Sequence, residues 1–516
     1  MDLSTQLQET ASRNMKKTAY IFMDQETSYA ELNGAVSQFA DGLRQLGVKK
    51  GDKVALLLGN SPHFIIGLYG ILRLGATAIP VNPIYTPDEI GYILKNGDVK
   101  AVVSLDLLIP MFEKLNVMLP DIRDIIICPS STEAKEIPDH LSVSNKMKSF
   151  TNVLEMGNPQ FIGSEVEPED LALILYTSGT TGKPKGAMLT HRNLYSNARD
   201  VADYLGINVN DRIITVLPMF HVFCLTVSLN APLMNGGTLV ILPKFSPQEV
   251  FRVAKKYEIT LFAGVPTMFN YLLQYPDSNP EDLKSLRFCI SGGSAMPVAL
   301  LTNFEKKFNV IVSEGYGLSE ASPVTCFNPL NRPRKPGSIG TSILNVENKV
   351  VNELGEEVPP GEVGELIVRG PNVMKGYYKM PEETAATIKD GWLYTGDLAR
   401  MDDEGYFYVV DRKKDMVIVG GYNVYPREVE EVLFSHPDIA EVAVIGAPDP
   451  NLGEVVRCFV VPKTPELTEE QVIDFCKERL AKYKVPQSID FMDDLPKNTT
   501  GKILRRALKN AVLQKA

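Results

Sequence analysis

What this 516-residue chain lacks narrows it first. Its six cysteines (Cys128, Cys224, Cys289, Cys326, Cys458 and Cys476) lie far apart, and none belongs to a CxxC. That excludes a disulfide-stapled secreted fold and a zinc site with cysteine spacing, and it fits free thiols in a reducing cytoplasm. Positive charge is not in excess: 53 Lys and Arg face 63 Asp and Glu, for a net charge of −10. Nucleic acid is therefore not expected as the main partner, since such proteins need a basic face, although local basic patches stay compatible. The N-terminus, Met1-Asp-Leu-Ser-Thr, has no charged segment leading into an apolar one, so no signal peptide is expected. The most membrane-like stretch, Phe64 to Val81, is broken by Arg73, three glycines and Pro80. It divides better into a helix, Pro62–Leu74, and a strand, Thr77–Pro80, so no transmembrane segment is expected. Internal repeats, long low-complexity tracts and a Gly-x-Ser-x-Gly elbow are also absent.

What is present is an ordinary globular composition, 44% hydrophobic and 22% charged, in a chain too long for one core. Apolar runs alternate with helical patterns: Val54–Leu58, Thr77–Pro80, Ala101–Ser104, Leu171–Leu175, Ile213–Leu217, Thr238–Leu242 and Leu286–Ile290. This alternation predicts α/β layers with mainly parallel sheets. Between Gly337 and Val410 short β-like runs (Glu365–Val368, Tyr406–Val410) alternate with Gly and Pro turns, which predicts a small antiparallel β subdomain. The charge run Asp411-Arg-Lys-Lys-Asp415 marks the boundary, giving a large domain over 1–411 and a compact α+β domain over 412–516. In the latter, strands are expected at Val417–Val419, Val442–Ile445 and Arg457–Val461, and helices at Arg427–Ser435 and Glu469–Lys482. Residues 128–150 are polar and rich in Ser and Lys, and read as a surface excursion.

The segment Tyr176-Thr-Ser-Gly-Thr-Thr-Gly-Lys-Pro-Lys-Gly186 carries the most chemistry. Gly179, Gly182 and Gly186 permit sharp turns and close approach. Thr177, Ser178, Thr180, Thr181, Lys183 and Lys185 supply the hydroxyl and ammonium donors that phosphate oxygens seek. The loop follows an apolar strand and precedes a helix expected from Asn193 onward. It is not a Walker A loop: two residues, not four, separate Gly179 from Gly182, and Pro184 follows Lys183.

Further along stands Ser313-Glu-Gly-Tyr-Gly-Leu-Ser-Glu320. Tyr316 offers a flat face to a base, and Glu320 is a hard oxygen ligand of the kind Mg²⁺ prefers. Alone, this pattern is equally a turn followed by a helix cap. Ser291-Gly-Gly-Ser-Ala-Met-Pro297 follows an apolar run and alone stands as a strand-to-helix turn. Tyr394-Thr-Gly-Asp397 holds a carboxylate suited to ribose hydroxyls. Lys502 follows Gly501 in Pro496-Lys-Asn-Thr-Thr-Gly-Lys-Ile503. In most chains such a lysine is a solvated charge. His221 sits in the apolar Leu217-Pro-Met-Phe-His-Val-Phe223 and, with Gly264-Val-Pro-Thr-Met268, suits either plain core packing or the wall of a greasy channel.

Taken together, these motifs resemble the adenylate-forming superfamily, which includes acyl-CoA synthetases, nonribosomal-peptide adenylation domains and firefly luciferase. The likeness covers nearly the whole chain and is strongest to bacterial fatty-acyl-CoA synthetases. It implies ATP, Mg²⁺ and coenzyme A, with a carboxylic acid becoming an acyl-adenylate and then a thioester. By this resemblance Thr177, Ser178, Gly179, Thr180, Thr181, Gly182 and Lys183 grip phosphates. Gly292, Gly293, Ser294, Glu314, Gly315, Tyr316, Gly317 and Ser319 surround the adenine and α-phosphate, where the family more often has Thr than Ser319. Asp397 and Arg412 hold the ribose, and Thr181 and Glu320 hold Mg²⁺. Lys502, His221 and Glu320 are the catalytic set. Val222, Phe223 and Gly264 join His221 in the acyl pocket. Lys414 is the hinge of a mobile C-terminal domain, and Gly420, Gly421 and Tyr422 border the CoA tunnel. An aryl-acid (coumarate-like) CoA ligase and a stand-alone adenylation enzyme loading a carrier protein remain the alternatives. Further off lie a luciferase-like oxygenase and a non-catalytic nucleotide-binding protein. The expected location is cytoplasmic, with peripheral membrane contact and a homodimer both left open.

Overall fold

The alternating apolar runs assemble into two large, mostly parallel sheets. The computed structural model describes residues 2–115, 119–130, 146–177, 184–498 and 501–513. An eight-stranded sheet has Lys53–Leu57 at its centre, parallel to Thr77–Pro80 on one side and Val99–Leu105 on the other. Leu171–Thr177 continues it in parallel. A nine-stranded sheet runs parallel through Thr18–Phe22, Thr238–Ile241, Arg212–Thr215, Leu261–Gly264, Phe288–Ser291 and Val312–Gly317. Antiparallel strands finish both of its ends: Gln25–Ser28 at one, Val324–Phe327 and Thr341–Ser342 at the other. Strands of such parallel sheets are buried on both faces, which is why they read as unbroken apolar runs.

The helix Pro62–Leu74 and the strand Thr77–Pro80 fall where the sequence puts them. Pro62 stands at the helix start, where its missing N–H costs nothing, and Gly75 ends it in the left-handed region at φ 76°. Arg73 is buried, and its guanidinium donates to the Asn33 carbonyl, the Asn33 and Ser37 side chains and the Ser4 hydroxyl at 2.7–3.1 Å. Burial lowers its pKa to about 10, so it stays charged at neutral pH. Among the described residues no helix is long and apolar enough to cross a membrane.

The antiparallel subdomain is a sheet of Glu347–Val351, Gly364–Arg369, Trp392–Met401 and Ile388–Lys389, with Phe407–Arg412 paired to Trp392–Met401. Past it, Tyr422–Val424, Val417–Val419, Gly453–Pro462 and Ile439–Asp449 form the C-terminal sheet, with Ser488–Phe491 parallel to Gly453–Pro462. The helices Pro426–Phe434 and Glu469–Lys477 close over it, and Val417, Leu433, Val444, Cys458 and Val460 form its own core. All six cysteines are free and buried.

Four expectations need correction or addition. The helix expected from Asn193 onward stands, but a strand that was not expected comes between it and the Thr/Gly loop. Lys185–Thr190 forms a strand antiparallel to Leu171–Thr177, and the helix starts at His191 behind a Thr190–Asn193 capping box. Leu171–Thr177 and Lys185–Thr190 are therefore the two arms of a hairpin. Gly376–Tyr377, inside the expected β subdomain, pairs instead with Lys185–Thr190. Met147–Ser149 is no surface excursion but a parallel edge strand on Asp124–Cys128, and Phe150 is buried in a stack on Phe39 at 4.7 Å. Residues 131–145 of that stretch lie outside the described residues. The helix expected over Glu469–Lys482 stops at Lys477, where the Arg479 amide bonds the Cys476 carbonyl three residues back and tightens the last turn.

Candidate active site

The carboxyl ends of the parallel strands converge on one place, as ligand sites in open α/β sheets do. Tyr316 lies near the end of Val312–Gly317, and its hydroxyl donates to Asp397 Oδ2. Burial, and then Asp397, pushes the phenol well above its usual pKa, so it stays a donor. The buried Asp397 faces Arg412 across the Trp392–Met401 and Phe407–Arg412 pair, with Arg412 Nε 3.3 Å from Asp397 Oδ1. A carboxylate has about four lone-pair sites, so capacity for further donors remains. The glycines beside Tyr316 answer first to packing: a Cβ on Gly315 would lie 2.1 Å from the Phe327 ring, and one on Gly317 2.4 Å from the Pro323 carbonyl. Glu314 is buried, accepts from the Gly337 amide at 3.2 Å, and is pushed by burial to about 8.

A second cluster forms around His221. The imidazole is half-buried, and its Nδ1 accepts from the Phe223 amide at 3.3 Å, which leaves the proton on Nε2. Burial first, then the charge of Lys502, lowers it to about 4, so it is neutral at pH 7. Val222 and Phe223 are buried, and Phe223 lies where a Cβ on Gly292 would meet it at 3.1 Å. The Gly292 amide bonds the Gly264 carbonyl at 3.3 Å, and Gly293 stands against Val265. Ser294 is exposed on the same turn. After Phe223 the chain takes a π-helix, Cys224–Asn230, which no sequence signal announced.

Lys502 comes from the far C-terminal segment into the gap between these clusters. A Cβ on Gly501 would meet Thr267 Oγ1 at 2.6 Å and Val265 Cγ2 at 3.2 Å, so this turn is docked on the Gly264–Met268 segment. The Lys502 ammonium is lowered to about 8, by burial and then by Arg412, with Arg505 and Lys414 adding to the repulsion and Asp397 opposing it. Arg505 is paired with Glu430 at 2.7 Å. Arg412 and Lys414 thus remain beside Lys502 with Asp397 as the opposing carboxylate, an arrangement able to receive an anionic ligand.

Glu320 sits in the short turn Ser319–Ala321, with Ser319 half-buried beside it. Its Oε1 accepts from the Tyr377 hydroxyl at 2.8 Å. Thr177 is half-buried at the end of its strand and opposite Lys185. Ser178, Gly179, Thr180, Thr181, Gly182 and Lys183 lie outside the described residues. Lys185, read from sequence as a phosphate donor, instead pairs with Glu383 and lies 5.3 Å over the Tyr377 ring. Tyr377 and Glu383 escaped the sequence reading because neither falls in a chemical motif. Gly420 and Gly421 turn the hairpin between Val417–Val419 and Tyr422–Val424 at φ 55° and 87°. Gly420 bonds the Leu452 carbonyl and the exposed Tyr422 stacks on Tyr483 at 4.9 Å. These contacts stay within the C-terminal unit. Exposed Lys414 follows Arg412 and Lys413, whose amide bonds the Gly396 carbonyl.

Comparison with known proteins places this geometry. Residues 7–378 match the AMP-binding enzyme family, and 428–502 match the AMP-binding enzyme C-terminal domain. A long-chain-fatty-acid–CoA ligase of Bacillus subtilis is 39% identical over 525 residues, covering 98% of this chain and 94% of that protein. A feruloyl-CoA synthase of Amycolatopsis is 35% identical over 480 residues, covering 93% and 92%. The crystal structure of ATP-bound MatB from Rhodopseudomonas palustris superposes with a TM-score of 0.91 at 33% identity, covering 99% of both chains. The chain belongs to the AMP-binding enzyme family and is an AMP-forming acid–thiol ligase of the adenylate-forming superfamily.

Proposed function

We propose that the acid is a medium- or long-chain fatty acid, and that the residues gathered around Lys502 carry both half-reactions. A carboxylate oxygen of the acid attacks the α-phosphorus of ATP, the bond to the pyrophosphate oxygen breaks, and pyrophosphate leaves. The sulfur of CoA then attacks the acyl carbon, the bond to AMP breaks, and the thiol proton passes to solvent. The observation that carries this reading is Lys502, held from the C-terminal segment beside Asp397, Arg412 and His221. In the first step its ammonium meets the charge that grows between carboxylate and α-phosphate. Asp397 and Arg412 orient the ribose, and Tyr316 with Gly292, Gly293, Ser294, Gly315 and Gly317 encloses the base. Ser319 contacts the α-phosphate, and Thr177 with the loop through Lys183 holds the other phosphates. His221, neutral, lines the acyl carboxylate with Val222, Phe223 and Gly264.

Glu320 and Thr181 would hold Mg²⁺, whose charge would neutralise the phosphates. A single carboxylate fits that ion, which keeps waters and substrate phosphates as its other ligands. Among the described residues no cluster of three His, Cys, Asp or Glu side chains competes for it. For the second step the domain over 412–516 would turn about Lys414, withdrawing Lys502 and presenting Gly420, Gly421 and Tyr422 to CoA. The buried thiols fit a cytoplasmic enzyme, and peripheral membrane contact or a homodimer would leave this scheme unchanged.

AMP release is measured with acetate, octanoate, palmitate and 4-coumarate, each with CoA or a holo-carrier protein. Octanoate or palmitate with CoA should exceed acetate and coumarate by at least about tenfold in kcat/KM, the discrimination a few buried methylenes give. A preference for coumarate, which the feruloyl-CoA synthase relative makes the second reading, or for the carrier, would overturn it.

A pH dependence follows from Lys502. Its ammonium is the active form and its pKa is lowered to about 8, so adenylation is at full rate below that value and is lost as pH rises through it. The kcat/KM for ATP, which reports the free enzyme, should fall about tenfold per unit above pH 8. Bound phosphates favour the charged ammonium, so kcat should fall at higher pH than kcat/KM. Pyrophosphate release without CoA measures both, and a flat profile to pH 10 would count against the role.

A further inference from the structure

Glu320 is fixed by two elements that no motif marks. Its carbonyl accepts from the Met374 amide at 2.8 Å, and its side chain accepts from Tyr377. Tyr377 is itself pinned. Gly376 and Tyr377 pair with Met188 and Ala187, and the Lys375 and Tyr378 amides bond the Met188 and Gly186 carbonyls at 2.9 and 2.8 Å. The Tyr377 amide bonds Thr384 Oγ1 at 2.9 Å, and its side chain is buried. The Lys185 ammonium covers the ring face, itself held by Glu383. One strand thus ties the base of the Thr/Gly hairpin to the Glu320 carboxylate.

We infer that Tyr377 is a positioning residue that aims the Glu320 carboxylate at a divalent cation, with Lys185 and Glu383 holding the ring in place. The inference rests on the proposed metal role of Glu320. A buried donor on Oε1 fixes the carboxylate plane and leaves Oε2 to be presented in one direction. Outer partners of this kind commonly change metal affinity by about 10- to 100-fold when removed. Plain core packing would make the same ring buried, but it would not need the hydroxyl.

The test is Tyr377→Phe, which keeps the ring and deletes only the donor. Mn²⁺ binding to enzyme with a non-hydrolysable ATP analogue is read by electron paramagnetic resonance, and metal-free analogue binding by calorimetry in chelator. Mn²⁺ affinity should weaken about tenfold while metal-free binding is unchanged. Glu320→Gln should weaken Mn²⁺ at least as much, and the double variant should be no weaker than Glu320→Gln alone, since both changes act on one interaction. If Glu320→Gln weakens Mn²⁺ and Tyr377→Phe does not, the role of Tyr377 falls and that of Glu320 stands. If Glu320→Gln leaves Mn²⁺ unchanged, both fall. Additive losses would mean Tyr377 acts apart from Glu320, which overturns the inference. Should Tyr377→Phe not fold by thermal melting, Lys185→Met asks the same question by loosening the ring. A shift of about threefold in the same direction is then expected, and none would refute it.

Discussion

Lys502→Ala should lower acyl-adenylate formation by about 10²- to 10³-fold, the usual loss when one aimed charge is removed from a transition state. Thioester formation from supplied acyl-adenylate and CoA should stay within about threefold of the parent, since the proposed second step proceeds with Lys502 withdrawn. The asymmetry comes from how the lysine is delivered. The Gly501 amide bonds the Asn498 carbonyl, the Lys502 amide bonds Asn498 Oδ1, and the tight turn places its glycine flush against Thr267. A backbone at φ 77° favours glycine at 501, and a Cβ there would press on the Thr267 hydroxyl at 2.6 Å. The ammonium lies among Arg412, Lys414 and Arg505, with Asp397 as the opposing charge, an arrangement that disfavours the charged form until phosphates arrive. On the proposed scheme, bound phosphates would offset that repulsion, so the nucleotide itself would favour the docked arrangement. Pyrophosphate exchange reports the first half and thioester absorbance the second. Equal losses in both halves would mean the variant has damaged a shared scaffold, and the assignment to the first step would fail.

The sequence made the layers legible because parallel strands leave an unambiguous mark. Thr77–Pro80 and Thr238–Ile241 are buried at every position and apolar after the opening threonine, as double burial demands. Pro62 marked the start of the helix Pro62–Leu74 by its backbone chemistry. What stayed hidden lacked a local signal. Lys185-Gly-Ala-Met-Leu-Thr190 has little β propensity, and it becomes a strand because Leu171–Thr177 on one side and Gly376–Tyr377 on the other satisfy its backbone. Tyr377 is one aromatic among many until that pairing brings it to Glu320. The separate motifs were each readable, but their joining was not: Tyr316 reaches Asp397 across 81 residues of chain. The glycines beside Tyr316 were noticed for a ligand-related reason, whereas Phe327 and Pro323 already forbid any side chain there.

Removing the Asp397 carboxylate should have the second large effect, on nucleotide binding rather than on the chemical step. Hydrogen bonds to a charged acceptor contribute about 1.5–3 kcal/mol each. Two ribose bonds are lost in Asp397→Ala, while the repulsion between carboxylate and polyphosphate is relieved. The net should be about 2–3 kcal/mol, or about 30- to 150-fold in ATP affinity. The readout that separates ribose recognition from general damage is 2′,3′-dideoxy-ATP. The parent should bind it far more weakly than ATP, and Asp397→Ala should bind the two alike. Retained discrimination would show that other groups read the ribose. A second consequence follows from the same carboxylate. Asp397 is the group that raises the Lys502 pKa against burial and Arg412, so deleting it lowers that pKa further. The alkaline fall in kcat/KM for ATP should therefore begin at lower pH in Asp397→Ala. Asp397→Asn, which keeps one acceptor but not the charge, should recover part of the ribose discrimination while leaving the pH shift in place. A ribose contact and a charge contact are thereby read from one residue by two variants, and Asp397 holds both roles only if they separate in this way.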